Sequence, residues 1–248
     1  MAIIVNADDF GMSKSVNDAI AEAFGSKLID RTTLMVNMPY AEDAMEIARQ
    51  NGFADKVGIH INLTSGKPVS PEIAGDRIMC GENGEFTADF ARNIRTRFFL
   101  PKRTGNNVET EIRAQFDRYR ELGGTLWHVD SHHYVHTDPS IWRVLKKVLK
   151  DYPVTSVRLG RNLYRGGNPL MHLYKLILNS SIRRFCKGNP RYFGSAQDYR
   201  EYIPGSAEDF KKTETEIMVH PVYDDNGCLC DEYMDNHYKL ERITGDEK

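Results

Sequence analysis

The densest group of chemically active side chains in this sequence is a histidine segment, HVDSHHYVH, at residues 128–136. It holds four of the chain's eight histidines, together with Asp130 and Tyr134. Neutral imidazole and carboxylate are ligands that proteins offer to divalent metal ions. Histidine also titrates near neutral pH, so the same side chains can transfer protons. The segment therefore predicts a catalytic metal site that uses part of it, while one or two of its members can equally be buried structural groups.

Which donors of the histidine segment lie on one face depends on the local backbone. In a strand, His128, Asp130 and His132 would point to the same side. In a helix, His132 and His136 would lie one turn apart instead. Both alternatives contain His132, which is therefore the strongest ligand candidate of the segment.

Two adjacent carboxylates, Asp8 and Asp9, follow the first apolar run in the segment NADDFG. They repel each other, and burying either of them alone would be costly. A metal ion would remove the conflict for one carboxylate and leave the other free as a general base. The structural alternative is that the pair caps the helix predicted to begin near Ser13.

Two further segments contribute single polar residues. His60 and Asn62, in GIHINL, would share one side of a strand, opposite Ile59 and Ile61. His220 ends the last clear apolar run, in MVHP. A lone histidine in a strand is more often a buried structural residue than a ligand, so both histidines gain weight only from their position at the ends of strands.

The elements that must position these residues alternate between short apolar runs and amphipathic helical patterns. This alternation indicates an α/β fold with a parallel sheet covered by helices. The carboxyl ends of parallel strands gather on one face, so four distant segments should converge on one mouth. With 248 residues and no linker or repeat, we expect one catalytic domain over residues 1–248. We expect it to be a distorted or incomplete TIM-type (β/α) barrel, closed or nearly closed.

Apolar runs and helix signals place the predicted elements along the chain. The predicted strands are Ile3–Ala7, Thr32–Val36, Val57–Leu63, Leu126–Asp130, Ser156–Leu159 and Glu216–Val219. Helices are predicted after Ser13, from Pro39 to about Gln50, around Val108–Tyr119, from Pro139 and over Leu170–Phe185. Irregular insertions are expected near residues 64–106 and 161–210.

The composition is ordinary for a globular protein and argues against several functional classes. The chain is 40% apolar and 27% charged with a formal net charge of -2, which is not basic enough to hold a nucleic-acid backbone. No apolar run approaches the ~20 residues that a membrane span needs, and the N-terminus makes a poor signal peptide. We expect a cytoplasmic protein with four reduced cysteines and no nucleic-acid or membrane partner.

The segments NADDFGMS, GIHINLTSGKP, HVDSHHYVH and VHP, in that order, resemble the YdjC-like carbohydrate deacetylases, which include the chitooligosaccharide (diacetylchitobiose) deacetylases. The resemblance runs from the first strand to about His220. It implies a (β/α) barrel-like fold, often in a homodimer, and a divalent metal, magnesium or zinc. It also implies hydrolysis of an N-acetyl group on an amino sugar or oligosaccharide.

Residue by residue, the resemblance implies that Asp9, His60 and His132 bind the metal. Asp8 matches the general base, and His220 matches a histidine able to act as general acid. The remaining candidates, expected to orient the ligands or contact substrate, are His128, Asp130, His133, His136, Asn62 and Arg158.

The chain departs from the family's pattern in two places. Tyr134 stands where the family has the third histidine of the segment. Residues 161–210 match no part of the pattern, and we expect them to influence substrate preference.

The expected reaction is attack of a metal-activated water on the acetyl carbonyl. Asp8 would take a proton, the metal would stabilise the oxyanion, and His220 would protonate the leaving amine. Asp130 or His128 would orient a ligand imidazole. Arg158 would hold Asp8 ionised or contact sugar hydroxyls, with a purely structural ion pair as the alternative.

Other functions stay open on the sequence alone. The same barrel and metal would suit a phosphoesterase or a small-amide hydrolase. His128, Asp130 and His220 also match the two-histidine, one-carboxylate pattern of non-haem iron oxygenases, although those sites usually lie on antiparallel sandwiches. A non-catalytic metal- or sugar-binding protein would have no need of the second carboxylate at Asp8.

Overall fold

A curled sheet of parallel strands forms the centre of the protein. The computed structural model describes residues 3–163, 168–202, 213–234 and 236–244. The strands of this sheet are β1 (Ile3–Phe10), β2 (Arg31–Leu34), β3 (Val57–Ile61), β4 (His128–Ser131), β5 (Ser156–Val157), β6 (Tyr192–Ser195) and β7 (Thr215–Val219). Their order across the sheet is β5-β4-β3-β2-β1-β7-β6, and each neighbouring pair is parallel. Within the described ranges β5 and β6 remain edges, so the predicted incomplete (β/α) barrel is confirmed as an open half-barrel, and the expectation that it is closed or nearly closed is wrong.

Helices and a small second sheet surround the half-barrel. The helices are α1 (Lys14–Gly25), α2 (Ala41–Gln50), α3 (Pro71–Ala74), α4 (Asp89–Arg92), α5 (Ile94–Phe98), α6 (Lys102–Glu121), α7 (Pro139–Val148), α8 (Pro169–Phe185) and α9 (Ala196–Tyr202). Short 3-10 turns cover Ala54–Lys56, His132–Thr137 and Leu149–Asp151. The second sheet is antiparallel and contains β8 (Pro221–Tyr223), β9 (Leu229–Tyr233) and β10 (Asn236–Lys239).

Local sequence signals explain where the main helices begin. The Ser13 hydroxyl accepts a hydrogen bond from the Val16 amide at 3.2 Å and caps α1. Pro139 occupies the first turn of α7 directly after Asp138, a position where its missing N–H costs nothing. Both helix starts are where the sequence predicted them.

Several boundaries differ from the predictions. β1 continues through Asp8 and Asp9 to Phe10 instead of ending at Ala7. The predicted insertion at 64–106 contains α3, α4, α5 and the start of α6. The one at 161–210 contains α8, β6 and α9, while its residues 164–167 and 203–210 lie outside the described part of the chain. That residues 1–248 form one catalytic domain stays a prediction.

The central strands are buried on both faces, as parallel strands covered by helices must be. Every residue of β2, β3, β4 and β7 is buried. Several of these buried residues are polar or charged, which requires partners inside the protein. In the described ranges, no helix is both long enough and apolar enough to cross a bilayer.

Candidate metal centre and active site

A cavity of about 430 Å³ opens beyond the carboxyl ends of β1, β3, β4 and β7. Its lining brings together five residues from four distant segments of the sequence: Asp8, Asp9, His60, His132 and His220. These are the residues for which the resemblance implied metal binding or proton transfer. We call the group Asp9, His60 and His132 the cavity cluster.

The cavity cluster places three metal-binding side chains within reach of one ion. Asp9 Oδ1 lies 2.8 Å from His132 Nδ1 and 3.2 Å from His60 Nε2. One ligand atom from each residue lies within 4.8 Å of the other two. Asp9 is 14% exposed, so the cluster faces the cavity. One carboxylate and two imidazoles leave further positions on a metal for water and substrate.

A backbone irregularity turns Asp9 towards the cavity. The register between β1 and β2 shifts between Ala7 and Phe10, and Asp9 adopts the left-handed region with φ +67°. Such bulges re-aim side chains near active sites, and a non-glycine residue at positive φ costs about 1–3 kcal/mol. Gly11 follows at φ +92°, where an added Cβ would lie 3.1 Å from the Ala41 backbone. Glycine is therefore required at this turn of NADDFG.

His60 is held in a fixed orientation from behind. Its Nδ1 contacts Asp130 Oδ1 at 2.6 Å, which directs Nε2 to the cavity side near Asp9. Metal-bound histidines usually donate their second N–H to such a carboxylate. Burial alone would lower the pKa of His60, but the charge of Asp130 and the contact with Asp9 raise that pKa to about 10. The site therefore carries excess negative charge that a cation can neutralise.

Asp9 is well suited to remain a charged ligand. Burial by itself would raise the pKa of Asp9, but the imidazoles of His132 and His60 outweigh it and hold that pKa well below its ordinary value. An ionised carboxylate beside two imidazoles is a donor set that divalent metals take from proteins. The residues present therefore fit a divalent metal.

Asp8 belongs to a different set of partners, although it adjoins Asp9. Arg158 donates to both of its carboxylate oxygens, at 2.5 and 2.7 Å, and Asn6 donates to Oδ1 at 2.8 Å. Arg158 also contacts Glu216 at 2.6 Å and Asp130 at 2.8 Å. The result is a chain of ion pairs that runs from Asp8 at the cavity lining into the interior, where Arg31 pairs with Glu216. We call it the arginine network, and it comprises Arg31, Arg158, Asp8, Asp130 and Glu216.

The arginine network settles which contact Arg158 makes. Its side chain has no exposed area and stacks 4.7 Å from the ring centroid of Phe193. Arg158 therefore pairs with Asp8, as both the charge-holding and the structural ion-pair alternatives require, and its side chain is not among those that line the cavity. Burial alone would lower the pKa of Arg158. The negative charges of Asp130, Asp8 and Glu216 outweigh burial and raise this pKa well above its ordinary value.

Two other groups of potential metal ligands share carboxylates with this network. They are Asp8–His60–Asp130 and His128–Asp130–Glu216. Both are fully buried, and their carboxylates already contact Arg158. The cavity cluster is therefore the better candidate for a metal ion.

His220 stands at the junction of β7 and the second sheet. Its amide donates to Asp231 Oδ1 at 2.7 Å, and its Nδ1 donates to the Glu232 carbonyl at 3.1 Å. The half-buried ring lines the same cavity as Asp8 and Asp9. Both hydrogen bonds come from β9, so the small antiparallel sheet positions this histidine.

The histidine segment adopts neither of the two geometries considered for it. β4 ends at Ser131, and a 3-10 turn follows in which His133 and Tyr134 have φ values of +53° and +56°. His132 is the first residue after the strand, at the boundary where the strand and helix alternatives overlapped. The double left-handed step turns His133 and Tyr134 along the cavity wall.

Two histidines of the segment serve the interior. His136 uses both ring nitrogens, contacting Ser131 Oγ at 2.5 Å and the Arg158 carbonyl at 3.1 Å, and burial lowers its pKa to about 4. His128 contacts Ser156 Oγ at 2.8 Å. Of the two residues expected to orient a ligand imidazole, Asp130 contacts the ring of His60, whereas His128 contacts Ser156 and Glu216. A role in orienting a metal ligand stays a prediction.

His133 and Tyr134 line the boundary between the first cavity and a second one of about 370 Å³. His133 Nδ1 contacts Thr64 Oγ1 at 3.0 Å, and burial lowers the pKa of His133 to about 4. The Tyr134 hydroxyl donates to Met218 Sδ at 2.9 Å. Both side chains are therefore placed to contact a substrate that extends beyond the cavity cluster.

Asn62 belongs to the loop after β3, and its expected role beside the ligands or the substrate stays a prediction. Its buried side chain donates to Asn37 Oδ1 at 3.0 Å and to the Ser65 carbonyl at 2.8 Å, and it accepts from the Thr64 amide at 3.0 Å. It lines neither cavity. Asn62 shapes the loop that carries Thr64 to His133 because polar groups in a buried loop need internal partners.

Sequence reasoning missed Glu216 and Arg31. Arg31 Nη2 lies 2.7 Å from Glu216 Oε2. Burial would raise the pKa of Glu216, but Arg31 and Arg158 hold it well below its ordinary value. The sequence did carry a signal for both residues. Glu216 lies in a predicted buried strand and Arg31 directly precedes another, and a buried charge requires an opposite charge nearby.

Fold and site together define an α/β half-barrel protein with a carboxylate–imidazole cluster at the carboxyl ends of its strands. The chain belongs to the YdjC-like protein family, whose model matches residues 2–246. This membership confirms the resemblance carried by NADDFGMS, GIHINLTSGKP, HVDSHHYVH and VHP.

Relatives named carbohydrate deacetylase align with much of the chain. The protein from Geobacillus stearothermophilus is 40% identical over 160 residues, which cover 64% of this chain and 60% of that relative. The protein from Clostridium beijerinckii is 32% identical over 232 residues, 92% of this chain and 84% of the relative. The chain thus spans less than two thirds of the length of the Geobacillus relative.

A solved structure has the same fold. A protein of Enterococcus faecalis V583, described as a candidate cellobiose-phosphate cleavage protein, superposes with a TM-score of 0.64. It is 25% identical, and the match covers 91% of this chain and 82% of that one.

Proposed function

We propose that this chain is a metal-dependent carbohydrate deacetylase, which hydrolyses the N-acetyl group of acetylated amino sugars such as those in chitooligosaccharides. The observation that carries the proposal is the position of Asp8 and His220 in the lining of the cavity that holds Asp9, His60 and His132. The names of the relatives support it. The relatives are named for carbohydrate deacetylation, and we extend this activity to the whole of this chain.

In this proposal Asp9, His60 and His132 hold one divalent metal ion. Two imidazole nitrogens beside one carboxylate suit zinc better than magnesium, which prefers oxygen ligands. Such an ion, when bound, lowers the pKa of water and polarises the acetyl carbonyl. Asp130 fixes the ring of His60, so the chain presents this ligand in one orientation.

Asp8 accepts the proton of the attacking water. Its carboxylate lies at the cavity lining, and Arg158 and Asn6 hold it in place. Each carboxylate oxygen has two lone-pair sites, so these contacts leave acceptor capacity on the cavity side. Arg158 thus sets the direction in which Asp8 can accept a proton.

His220 donates a proton to the departing amine. Its Nδ1–H is fixed by the Glu232 carbonyl, so the other ring nitrogen is the one available to substrate. General acid catalysis by a positioned histidine contributes about 10²–10⁴-fold to a rate. Asp8 and His220 come from different segments, which lets them lie on different parts of the cavity wall.

A second candidate function is cleavage of a phosphorylated sugar, because the Enterococcus protein is described as a candidate for cleaving cellobiose phosphate. The same metal site would suit phosphoester hydrolysis. Acetate release from diacetylchitobiose and longer acetylated oligomers, measured beside phosphate release from phosphorylated disaccharides, separates the two functions.

The test uses metal-free protein reconstituted with zinc or with magnesium. We expect acetate release that is absent after chelation and returns with the metal, and no release from the Asp9→Asn variant. Phosphate release without acetate release would replace this proposal with the second candidate.

The homodimer and the cytoplasmic location stay predictions. Sedimentation velocity tests the homodimer, and cell fractionation tests the location.

A further inference from the structure

The outer surface of α8 is apolar where a surface helix should be polar. Leu170, Leu173, Leu176 and Ile177 are 75%, 54%, 65% and 63% exposed. The opposite side of the helix is apolar as well, with Leu178 buried. An apolar helix face is normally covered by protein or lipid, and within the described ranges nothing covers this one.

A second element extends this apolar surface. Ile94, Phe98 and Phe99, in and beside α5, are 64%, 40% and 71% exposed. The ring of Phe98 lies 6.4 Å from the ring of Tyr174 on α8, so the two helices adjoin. Ten large apolar residues are exposed in the described ranges, and eight of them belong to these two elements. Such clustering marks an interaction site rather than chance exposure.

The two segments that carry this apolar surface contain far more cations than carboxylates, although Arg97 pairs with Asp138 outside them. Residues 89–103 contain five lysines and arginines and one carboxylate, and residues 168–191 contain five and none. The whole chain has slightly more carboxylates than cations, so the imbalance is local. The stripe formed by Leu170, Leu173 and Ile177 continues at helical spacing into the exposed Arg184.

We propose that the outer face of α8, together with Phe98 and Phe99, docks this protein on an anionic lipid surface. Apolar side chains inserted at the boundary of headgroups and acyl chains, with lysine and arginine beside them, are the chemistry by which helices lie on membranes. Each cation near an anionic leaflet contributes about 1 kcal/mol. The inference goes beyond deacetylation and does not depend on it.

Charge complementarity favours lipid over a second copy of the chain. A twofold interface brings the same patch of both copies together, and here it would oppose two cationic surfaces. An anionic membrane neutralises them instead. The expectation of no membrane partner rested on the lack of a spanning segment, and a helix that lies in the interface needs none.

The side of α8 that faces away from the docked surface borders the second cavity. Met171, Tyr174 and Lys175 of α8 line that cavity, and His133 and Tyr134 connect it with the cavity cluster. The membrane-facing helix is therefore one wall of the space that leads to the candidate active site.

The test is co-sedimentation of the full chain with vesicles of equal parts phosphatidylglycerol and phosphatidylcholine, and with pure phosphatidylcholine vesicles. We expect binding to the anionic vesicles only. The variant Leu173→Ser with Ile177→Ser should bind about tenfold more weakly because it loses two inserted side chains. Tyr40→Ser, an exposed apolar residue outside the surface, is the matched control and should bind as the unchanged protein does.

A charge reversal tests the same surface independently. Arg184→Glu with Lys187→Glu should also weaken binding about tenfold or more, whereas Lys56→Glu with Lys150→Glu should leave it within about twofold. Equal binding of the α8 variants and the unchanged protein would overturn the proposal, as would the absence of binding to anionic vesicles. A dimer in sedimentation velocity that Leu173→Ser with Ile177→Ser converts to monomer would overturn it in favour of a second copy.

Discussion

Asp8 and Asp9 are neighbours in sequence but belong to two regions with opposite properties. Asp8 is 3% exposed and joins the arginine network, in which Arg158 is its permanent counterion. Asp9 is 14% exposed and joins the cavity cluster, in which its partners are two imidazoles. Guanidinium keeps its charge at any physiological pH, whereas imidazole can exchange a proton for a metal ion. The bulge in β1 therefore leaves one carboxylate at the cavity lining with a permanent counterion and turns the next to a site where a metal ion can replace a proton.

Burial and partner type, rather than residue type, thus separate the arginine network from the cavity cluster. The network's two arginines and three carboxylates are interlocked, so the loss of one member leaves a buried charge unpaired. The cavity cluster borders the cavity, so we expect the loss of Asp9 or His132 to cost the fold less. We expect stability to depend mainly on the network and metal binding mainly on the cluster.

The largest effect is expected when the network itself is broken. Arg158→Met leaves Asp8, Asp130 and Glu216 without their shared cation, which should lower the free energy of unfolding by about 3–5 kcal/mol. Chemical denaturation of the metal-free protein measures this. Arg242→Met is the matched control, since Arg242 is 39% exposed in its pair with Asp30, and it should cost less than about 1 kcal/mol. Equal losses for the two variants would contradict the comparison.

The next effect concerns the cavity side alone. His220→Gln should lower turnover about 10²-fold, because the leaving amine loses its proton donor. That loss corresponds to about 2.7 kcal/mol of barrier. Steady-state acetate release measures it, while metal content and the unfolding midpoint should stay as in the unchanged protein. Turnover within about twofold of the unchanged protein would remove His220 from the mechanism.

Asp130 connects the two regions, and its variant should show an intermediate effect. Asp130→Asn weakens the contact that orients His60, so we expect metal affinity to fall about 10–100-fold, or about 1.4–2.7 kcal/mol. Competition with a chromogenic chelator measures the affinity. Asp138→Asn, an acid beyond the histidine segment that pairs with Arg97, should leave it unchanged. An unchanged affinity in Asp130→Asn would mean that the network does not act on the cluster.

The smallest effect is expected at Tyr134, where the chain departs from the family's pattern. Tyr134→Phe removes the hydrogen bond to Met218 and one polar group from the cavity wall. We expect a rise in KM of no more than about fivefold, the value of one hydrogen bond, with kcat and metal content unchanged. A loss of kcat as large as that of His220→Gln would place Tyr134 among the catalytic residues.

The sequence predicted the parts of the fold and site that depend on local signals. Ser13 and Pro139 start helices where capping and proline rules place them. The meeting of Asp9, His60 and His132 followed from one rule, because polar residues at the ends of parallel strands share a face. The resemblance assigned Asp9 and His60 as ligands, whereas spacing had already made His132 the strongest candidate of its segment.

The rest depended on tertiary contacts that leave little local trace. Glu216 looked like one polar residue in an apolar run, and only the fold brings Arg31 and Arg158 to it. The alternation of side chains expected for a strand ends after Ser131. His133 and Tyr134 adopt positive φ although neither is a glycine, so the sequence gives no signal for this turn. Asn62 lies beyond the strand end, so its side chain turned into the loop instead of the cavity.

The most direct test of the different roles of Asp8 and Asp9 is metal binding by the paired variants Asp8→Asn and Asp9→Asn. The measurement is metal content per chain after dialysis against zinc, with acetate release assayed on the same samples. We expect Asp8→Asn to keep about one zinc per chain, Asp9→Asn to lose it, and both to lose turnover. Full zinc content in Asp9→Asn, or turnover in Asp8→Asn equal to that of the unchanged protein, would contradict the account.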